Sequence, residues 1–329
     1  MSHRNAIARS LQALSILALA SATQMAAAQT GFPGKPLRMI CAYTPGGSID
    51  LTGRPLAQGM TELLGQQVIY ENRPGANGNV GAAMVAKAAP DGHTLLIAST
   101  SQLTINPSLY PDMPFEVAKD LTPITLISMT PTALVLHPSV QANTLKEVLA
   151  YARANPTALR YASAGNGSIN HLATELLKIN EKVDMLHVPY KGSGPALAAV
   201  VAGEVNVMIA SVPPALPFIK SGRIKVISLS ADKRFRLLPE VPTMAEAGGQ
   251  GFRASAGIGL LAPGGTPRPV ITRLQTAAVK VVNSPDIGQK LLSQGVELIG
   301  STPEEFAALI REESARWDRV VKAGNIKPD

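Results

Sequence analysis

The sequence predicts an α/β protein of two domains with mixed, mostly parallel sheets. Three observations support this prediction. The chain has 329 residues, more than a single hydrophobic core usually serves. Hydrophobic residues make up 46% of it, which is enough for buried cores and excludes a disordered chain. Apolar runs of β type alternate with stretches of helical period, and this alternation is typical of parallel sheets covered by helices.

The elements follow one another in that alternating order. Capping boxes mark two helix starts, at Thr144 with Glu147 and at Thr302 with Glu305. The last helix is predicted to end at Gly324, in a left-handed conformation. Strands are predicted at residues 37–43, 67–70, 94–98, 159–162, 185–188, 205–210 and 224–229. Helices are predicted at 49–64, 80–89, 145–154, 172–179, 195–202 and 303–322.

Two longer apolar runs indicate how the domains divide. The run at residues 122–135 can start in one domain and cross to a second, and the run at 254–263 can return. Two crossings of this kind would leave a cleft with a hinge behind it. The predicted division is a leader at 1–28, a first domain at 29–130 that resumes at 254–329, and a second domain at 131–253.

The N-terminus has the three-part layout of a secretory signal peptide. Arg4 and Arg9 precede an apolar run at residues 11–20, and small residues lead up to cleavage after Ala28. The run is well short of the roughly 20 residues of a membrane span. We therefore expect a periplasmic protein. The lone Cys41 excludes an internal disulfide framework and is interpreted as a small buried hydrophobe.

The charge pattern argues against nucleic acid as a partner. The formal net charge is +7, but lysine and arginine are spread along the chain and aromatic residues make up only 4%. Protein surfaces that bind nucleic acid normally carry clustered patches of positive charge. The mild surplus fits attraction of small anions better.

Two strand-to-helix loops are candidate anion sites. Residues 44–50, TPGGSID, follow the first strand, and residues 161–171, YASAGNGSINH, follow the strand at 159–162. Glycines expose backbone N–H groups, and each following helix N-terminus adds partial positive charge. Ligands of α/β sheets lie at the carboxyl ends of strands, where both loops belong. The alternative for the first loop is a plain capped turn.

The remaining sequence patterns give weaker evidence for a functional site. The glycine-rich stretch at 72–81 has the spacing G-x-x-G-x-x-G, so a tight turn is favoured over a dinucleotide site. No G-x-S-x-G elbow is present, and no histidine pair has metal-ligand spacing. An exported hydrolase using Ser163 or Ser168 with His171 is the main alternative function. Tyr190 and Lys191 follow another strand and meet either a ligand or solvent.

Together these segments resemble the tripartite tricarboxylate transporter receptors, the Bug family of periplasmic solute-binding proteins. The matching segments run in family order along nearly the whole mature chain: PGGSID (45–50), ENRPGANGNVGAAMVAKAAPDGHTLL (71–96), YASAGNGSINHLA (161–173), VPYKGSGPAL (188–197), LPEVPTMAEAG (238–248) and LAPGGTP (261–267).

The resemblance implies a type II periplasmic binding protein, or Venus flytrap, that closes on a small organic acid. It implies no enzymatic activity, and we expect no cofactor and no metal. The implied partner is the membrane permease of a tripartite tricarboxylate transporter, with a sensor kinase as another option, and we expect a monomer. The implied ligand-binding residues are Pro45, Gly46, Gly47, Ser48, Asp50, Ser163, Ala164, Gly165, Asn166, Gly167, Ser168 and His171, to which the residue analysis adds Tyr190 and Lys191.

The sequence departs from the family pattern at two positions. Gly257 stands where many members have tryptophan, and the acidic residue that many have near Ala210 is absent. The second departure removes one plausible ligand anchor.

Overall fold

The computed structural model describes residues 31–45, 48–231, 233–249, 252–293 and 295–327. The segment predicted as a leader lies outside them, as do Gly46 and Gly47. The described strands are β1 (Leu37–Cys41), β2 (Val68–Asn72), β3 (Thr94–Ser99), β4 (Leu121–Leu136), β5 (Arg160–Ser163), β6 (Leu186–Pro189), β7 (Val207–Ser211), β8 (Lys225–Ser230), β9 (Ser255–Pro263) and β10 (Glu297–Leu298).

The helices cover both faces of the strands. They are α1 (Ser48–Leu64), α2 (Asn79–Ala86), α3 (Thr100–Thr104), α4 (Asn106–Leu109), α5 (Val117–Asp120), α6 (Leu145–Ala154), α7 (Ile169–Glu181), α8 (Ser193–Ala202), α9 (Val212–Lys220), α10 (Arg268–Val282), α11 (Pro285–Ser293) and α12 (Pro303–Ala323). A 3₁₀ turn at Ala76–Gly78 precedes α2. None of the described helices is long and apolar enough to cross a membrane.

The strands form one curled, mixed sheet with two halves that share β4. The first half has the order β2-β1-β3-β9-β4, and β10 also pairs with β4. The second half has the order β4-β7-β5-β6, and β8 pairs with β4 as well. β1 is parallel to β2 and β3, and β5 is parallel to β6 and β7, whereas the pairings of β4 are antiparallel. The predicted α/β class with mixed sheets is confirmed.

The long strand β4 passes from one half to the other. Its residues from Leu121 to Pro131 pair with β9, and those from Thr132 to Leu136 pair with β7 and β8. The sequence predicted this crossing from a single apolar run. Buried side chains explain its length, because Ile124 and Ile127 belong to the core of the first half whereas Leu134 and Leu136 belong to that of the second.

Helix α12 also packs into both halves. Phe306 and Ile310, near its start, lie in a core cluster with residues of β1, β3 and β9. Trp317 and Val320, near its end, lie in the cluster that holds β5 and α7. The capping box at Thr302 is confirmed by both of its hydrogen bonds.

Two details of the sequence prediction are wrong. At Thr144 only half of the predicted capping box forms, because the Glu147 carboxylate accepts from the Asn143 amide and not from the Thr144 amide. Gly324 at the end of α12 has φ −83°, which is right-handed, and the next residue, Asn325, has φ +47°. Asparagine tolerates the left-handed region better than most residues, so the reversal occurs one residue later than predicted.

Candidate functional site

The first candidate loop runs from the end of β1 to the start of α1. Residues 44–47 are called the PGG loop below. Pro45 is exposed, Gly46 and Gly47 lie outside the described residues, and α1 begins at Ser48. The predicted strand-to-helix turn is thus present. The sequence places it there because the apolar β1 ends at Cys41 and an amphipathic helix of 17 residues follows.

Asp50, in the first turn of α1, is held by three side chains. Its carboxylate accepts hydrogen bonds from the Tyr70 hydroxyl at 2.8 Å, from Asn72 Nδ2 at 3.0 Å and from Arg54 Nη2 at 3.2 Å. The side chain is buried. Burial and the neighbouring Cys41 and Asp50 raise the pKa of Tyr70, so its hydroxyl remains a donor. Asp50 therefore fastens α1 to β2, and its contact with a ligand stays a prediction.

A chain of hydroxyl groups lies at the carboxyl end of β3, close to the first loop. Tyr43 Oη is 2.9 Å from Ser99 Oγ, which is 2.9 Å from Ser101 Oγ. Burial raises the pKa of Tyr43 to about 12, which keeps the phenol neutral. Sequence reasoning did not single out these residues. The hydroxyl-rich string STS directly after an apolar strand was the available signal.

The second candidate loop joins β5 to α7. Residues 163–168 are called the donor loop below. Ser168 caps α7, because its hydroxyl accepts from the His171 N–H at 3.3 Å. Two loop amides are already engaged: Gly165 N–H donates to Ser163 Oγ at 3.2 Å, and Gly167 N–H donates to His171 Nδ1 at 3.1 Å. Ala164 and Asn166 are half-buried.

His187 of β6 lies beside this loop, although no sequence pattern singled it out. Its Nε2 is 2.6 Å from Ser163 Oγ. Its ring is stacked on His171, with centroids 4.0 Å apart, and on Tyr161, with centroids 4.7 Å apart. Burial and the charge of His187 lower the pKa of His171 to about 4, so His171 is neutral near neutral pH.

The glycine-rich stretch at 73–79 lies next to the donor loop. The predicted tight turn is confirmed, since Ala76, Asn77 and Gly78 all have positive φ. The Asn77 side chain donates to Asn106 Oδ1 at 2.9 Å and lies within 4 Å of where a Cβ on Gly167 would be. A neighbouring side chain, Leu109, packs directly on Gly167. The segment between β2 and β4 therefore touches the donor loop through these two side chains.

Tyr190 and Lys191 follow β6 and differ in their surroundings. The Tyr190 N–H donates to the Ser163 carbonyl at 3.0 Å, and its half-buried ring packs on the apolar core of the second half. Burial raises the pKa of Tyr190. Lys191 is exposed. Tyr190 is thus joined to the start of the donor loop, and a ligand contact for either residue stays a prediction.

Gly257 of β9 packs against Thr100, at the start of α3, and against Met129 of the neighbouring strand β4. A Cβ at Gly257 would lie 2.5 Å from Thr100 Cγ2 and 2.6 Å from Met129 Sδ. The Gly257 N–H donates to Thr100 Oγ1 at 3.1 Å. The close packing leaves no room for the larger residue that the family pattern places there.

The geometry of the described residues bears on two alternative kinds of site, a metal site and a hydrolase site. Within the described ranges, no three His, Cys, Asp or Glu side chains are grouped to hold a metal ion. The hydrolase alternative required His171 to activate Ser163 or Ser168. The His171 ring instead accepts from the Gly167 amide, and the Ser163 hydroxyl is buried against His187.

Comparison with known proteins identifies the family. The model of the tripartite tricarboxylate transporter family receptor matches residues 52–326. Protein BugT of Bordetella pertussis is 35% identical over 297 residues, which cover 90% of this chain and 91% of BugT.

Two solved structures were determined with ligands. The Rpa4515 protein of R. palustris, with adipate, has a TM-score of 0.82 and 32% identity, over 91% of this chain and all of that one. MatC from Rhodopseudomonas palustris, with bound malate, has a TM-score of 0.80 and 34% identity, over 88% of this chain and all of that one.

The matched family consists of transporter receptors, and a further structural neighbour is the periplasmic binding protein BugD. The hydrolase alternative is therefore not supported, and the protein is a receptor and not an enzyme. The matched residues, the fold and the named relatives agree on one assignment. The chain belongs to the tripartite tricarboxylate transporter receptor family, as a Bug-type solute-binding protein.

Proposed function

We propose that this protein is a periplasmic receptor that binds a small carboxylate between the PGG loop and the donor loop. It then delivers the ligand to the permease of a tripartite tricarboxylate transporter. The ligand-binding residues in this proposal are Pro45, Gly46, Gly47, Ser48, Asp50, Ser163, Ala164, Gly165, Asn166, Gly167, Ser168, His171, Tyr190 and Lys191.

The observation that carries the proposal is the pair of helix N-termini at the two loops. α1 has 17 residues and α7 has 13, and each follows the carboxyl end of a parallel strand after a short loop. A helix N-terminus presents about half a positive charge and unbonded N–H groups, which favour a carboxylate. A dicarboxylate can meet one such end with each of its charged groups. The adipate and malate of the two R. palustris structures are dicarboxylates.

The connections between the two halves support a mechanism in which the two domains close on the ligand. Among the described residues, β4 and β9 are the long strands that reach the boundary between the halves. At that boundary Pro131 of β4 pairs with Ser255 of β9. In our proposal, these strands form the hinge between a domain of residues 29–130 and 254–329 and a domain of residues 131–253. A ligand that contacts both loops favours the closed form by its difference in affinity for the two forms. The receptor acts as a monomer, exported by a leader that is cleaved after Ala28.

A thermal-shift panel tests the proposed ligand class. The exported protein is heated with malate, adipate and the matching uncharged diamides. A ligand at about 100 times its dissociation constant should stabilise the protein by about 2.7 kcal/mol. Stabilisation by a dicarboxylate but not by its diamide is expected. Unchanged melting with every acid, in protein that native mass spectrometry finds empty, would contradict the carboxylate assignment.

The Gly47→Val variant tests the PGG loop. A valine side chain should block access to the loop N–H groups and abolish binding while the fold is kept. Gly34→Val is the matched control, because it lies in the exposed N-terminal segment, with only a backbone oxygen 3.7 Å from a built Cβ. Undiminished affinity in Gly47→Val would refute the loop's role.

A further inference from the structure

We propose that His187 is a positioning residue of the ligand site, which holds the donor loop in its binding shape through the Ser163 hydroxyl. This inference deepens the proposed function and rests on it. His187 has no place in the sequence prediction of the site. Its role follows from three contacts that join β5, β6 and the donor loop.

The first step is the hydrogen bond to Ser163. Tyr161 pairs with His187 in the parallel register of β5 and β6, and residues two apart on a strand share a face, so Ser163 lies on the same face. The 2.6 Å distance from His187 Nε2 to Ser163 Oγ is short for a hydrogen bond. The Ser163 side chain is fully buried, so its hydroxyl must find its hydrogen-bond partners within the protein.

The second step runs from Ser163 into the loop. Ser163 Oγ lies 3.2 Å from the carbonyl oxygen of Gly165, to which it can donate, and 3.2 Å from its amide nitrogen, from which it accepts. The hydroxyl thus fixes the peptide groups on both sides of Gly165. Because backbone groups of this loop are the proposed ligand donors, the orientation of the hydroxyl sets where they point.

The third step concerns what holds the His187 ring. The stack of Tyr161, His187 and His171 has interplanar angles of 14° and 10° for its two close pairs. His171 in turn accepts from the Gly167 amide. The stacked rings therefore connect the two fixed points of the loop, one at Gly165 and one at Gly167.

Substitution by phenylalanine separates the hydrogen bond from the stacking. His187→Phe keeps an aromatic ring between Tyr161 and His171 but removes the bond to Ser163. His137→Phe is the matched control, since His137 Nδ1 also bonds a serine hydroxyl, that of Ser139, at 2.8 Å and outside the site.

The test is a double-mutant cycle on affinity. Dissociation constants of malate and adipate are measured by calorimetry for the wild type, His187→Phe, Ser163→Ala and the double variant. Each single variant should bind about three- to tenfold more weakly, the range for one lost hydrogen bond. If His187 acts through Ser163, the double variant should lie within about twofold of the weaker single variant. Independent effects that multiply, or unchanged affinity in His187→Phe, would overturn the proposal.

A second measurement does not depend on any ligand. In ¹H–¹⁵N spectra of the ligand-free protein, His187→Phe and Ser163→Ala should both shift the Gly165 amide and speed its hydrogen exchange. His137→Phe should leave that amide unchanged. A Gly165 amide that His187→Phe does not affect would refute the positioning role. If neither acid binds the wild type, the proposed function fails, and this spectrum alone decides the role of His187.

Discussion

Replacement of Gly167 by alanine should destabilise the protein at the contact between the donor loop and Leu109 of α4. Gly167 has φ +73°, and a built Cβ lies only 2.2 Å from Leu109 Cδ1. Ordinary carbon–carbon contact needs about 3.5–4.0 Å. A left-handed conformation costs a residue other than glycine about 1–2 kcal/mol, and overpacking costs about 1–3 kcal/mol. Because Leu109 is buried, a shift of its side chain must be taken up by the surrounding core, and we expect a total loss of about 2–5 kcal/mol.

Urea unfolding of four variants separates the two contributions. In a Leu109→Ala background the overlap is gone, so Gly167→Ala should cost only the conformational strain, about 1–2 kcal/mol. Gly34→Ala serves as a control for the loss of a glycine without contact to the site. The reasoning is refuted if Gly167→Ala lowers the free energy of unfolding by less than about 0.5 kcal/mol, a typical surface effect. It is also refuted if the cost is the same with and without Leu109.

Three further predictions concern stability. Thr302→Ala removes the cap of α12 and should cost about 1 kcal/mol in urea unfolding; a loss below the error would count against the capping box. Trp317→Ala should cost about 3–5 kcal/mol because the indole is 1% exposed in the core of the second half; an unchanged unfolding midpoint would contradict that packing. The pKa of His171 is lowered from 6.5 to about 4, so the unfolded chain binds this proton at higher pH than the folded protein. The free energy of unfolding should therefore fall by roughly 3 kcal/mol from pH 6.5 to pH 4, and His171→Gln should flatten this slope; an equal slope in that variant would refute the assignment.

Periodicity in the sequence was sufficient for seven strands and for six of the helices. The seven predicted strands occur within two residues of their expected ends, because apolar runs bounded by turn residues leave few alternatives. Six helices were not predicted: α3, α4, α5, α9, α10 and α11. Helices α3 and α4 have only five and four residues, which is too short to show a helical period, and buried contacts such as the bond from Gln102 Nε2 to the Gly78 carbonyl hold α3 in place.

The candidate site was predictable only in part. Both strand-to-helix loops could be located, because strand, glycine and helix follow one another locally. His187 could not, since its place beside Ser163 depends on the register of two strands that are 24 residues apart in the chain. The contact of Asn77 and Leu109 with Gly167 depends on tertiary packing for the same reason.

Calorimetric titration of the exported protein with malate and adipate, each beside its diamide, tests the central claim most directly. We expect saturable binding of one dicarboxylate per protein molecule, no heat from its diamide, and loss of binding in Gly47→Val. Equal binding of acid and diamide would contradict the role of the two helix N-termini in recognising charge. Absence of binding by both acids to verified empty protein would contradict the claim that the cleft receives a dicarboxylate of this size.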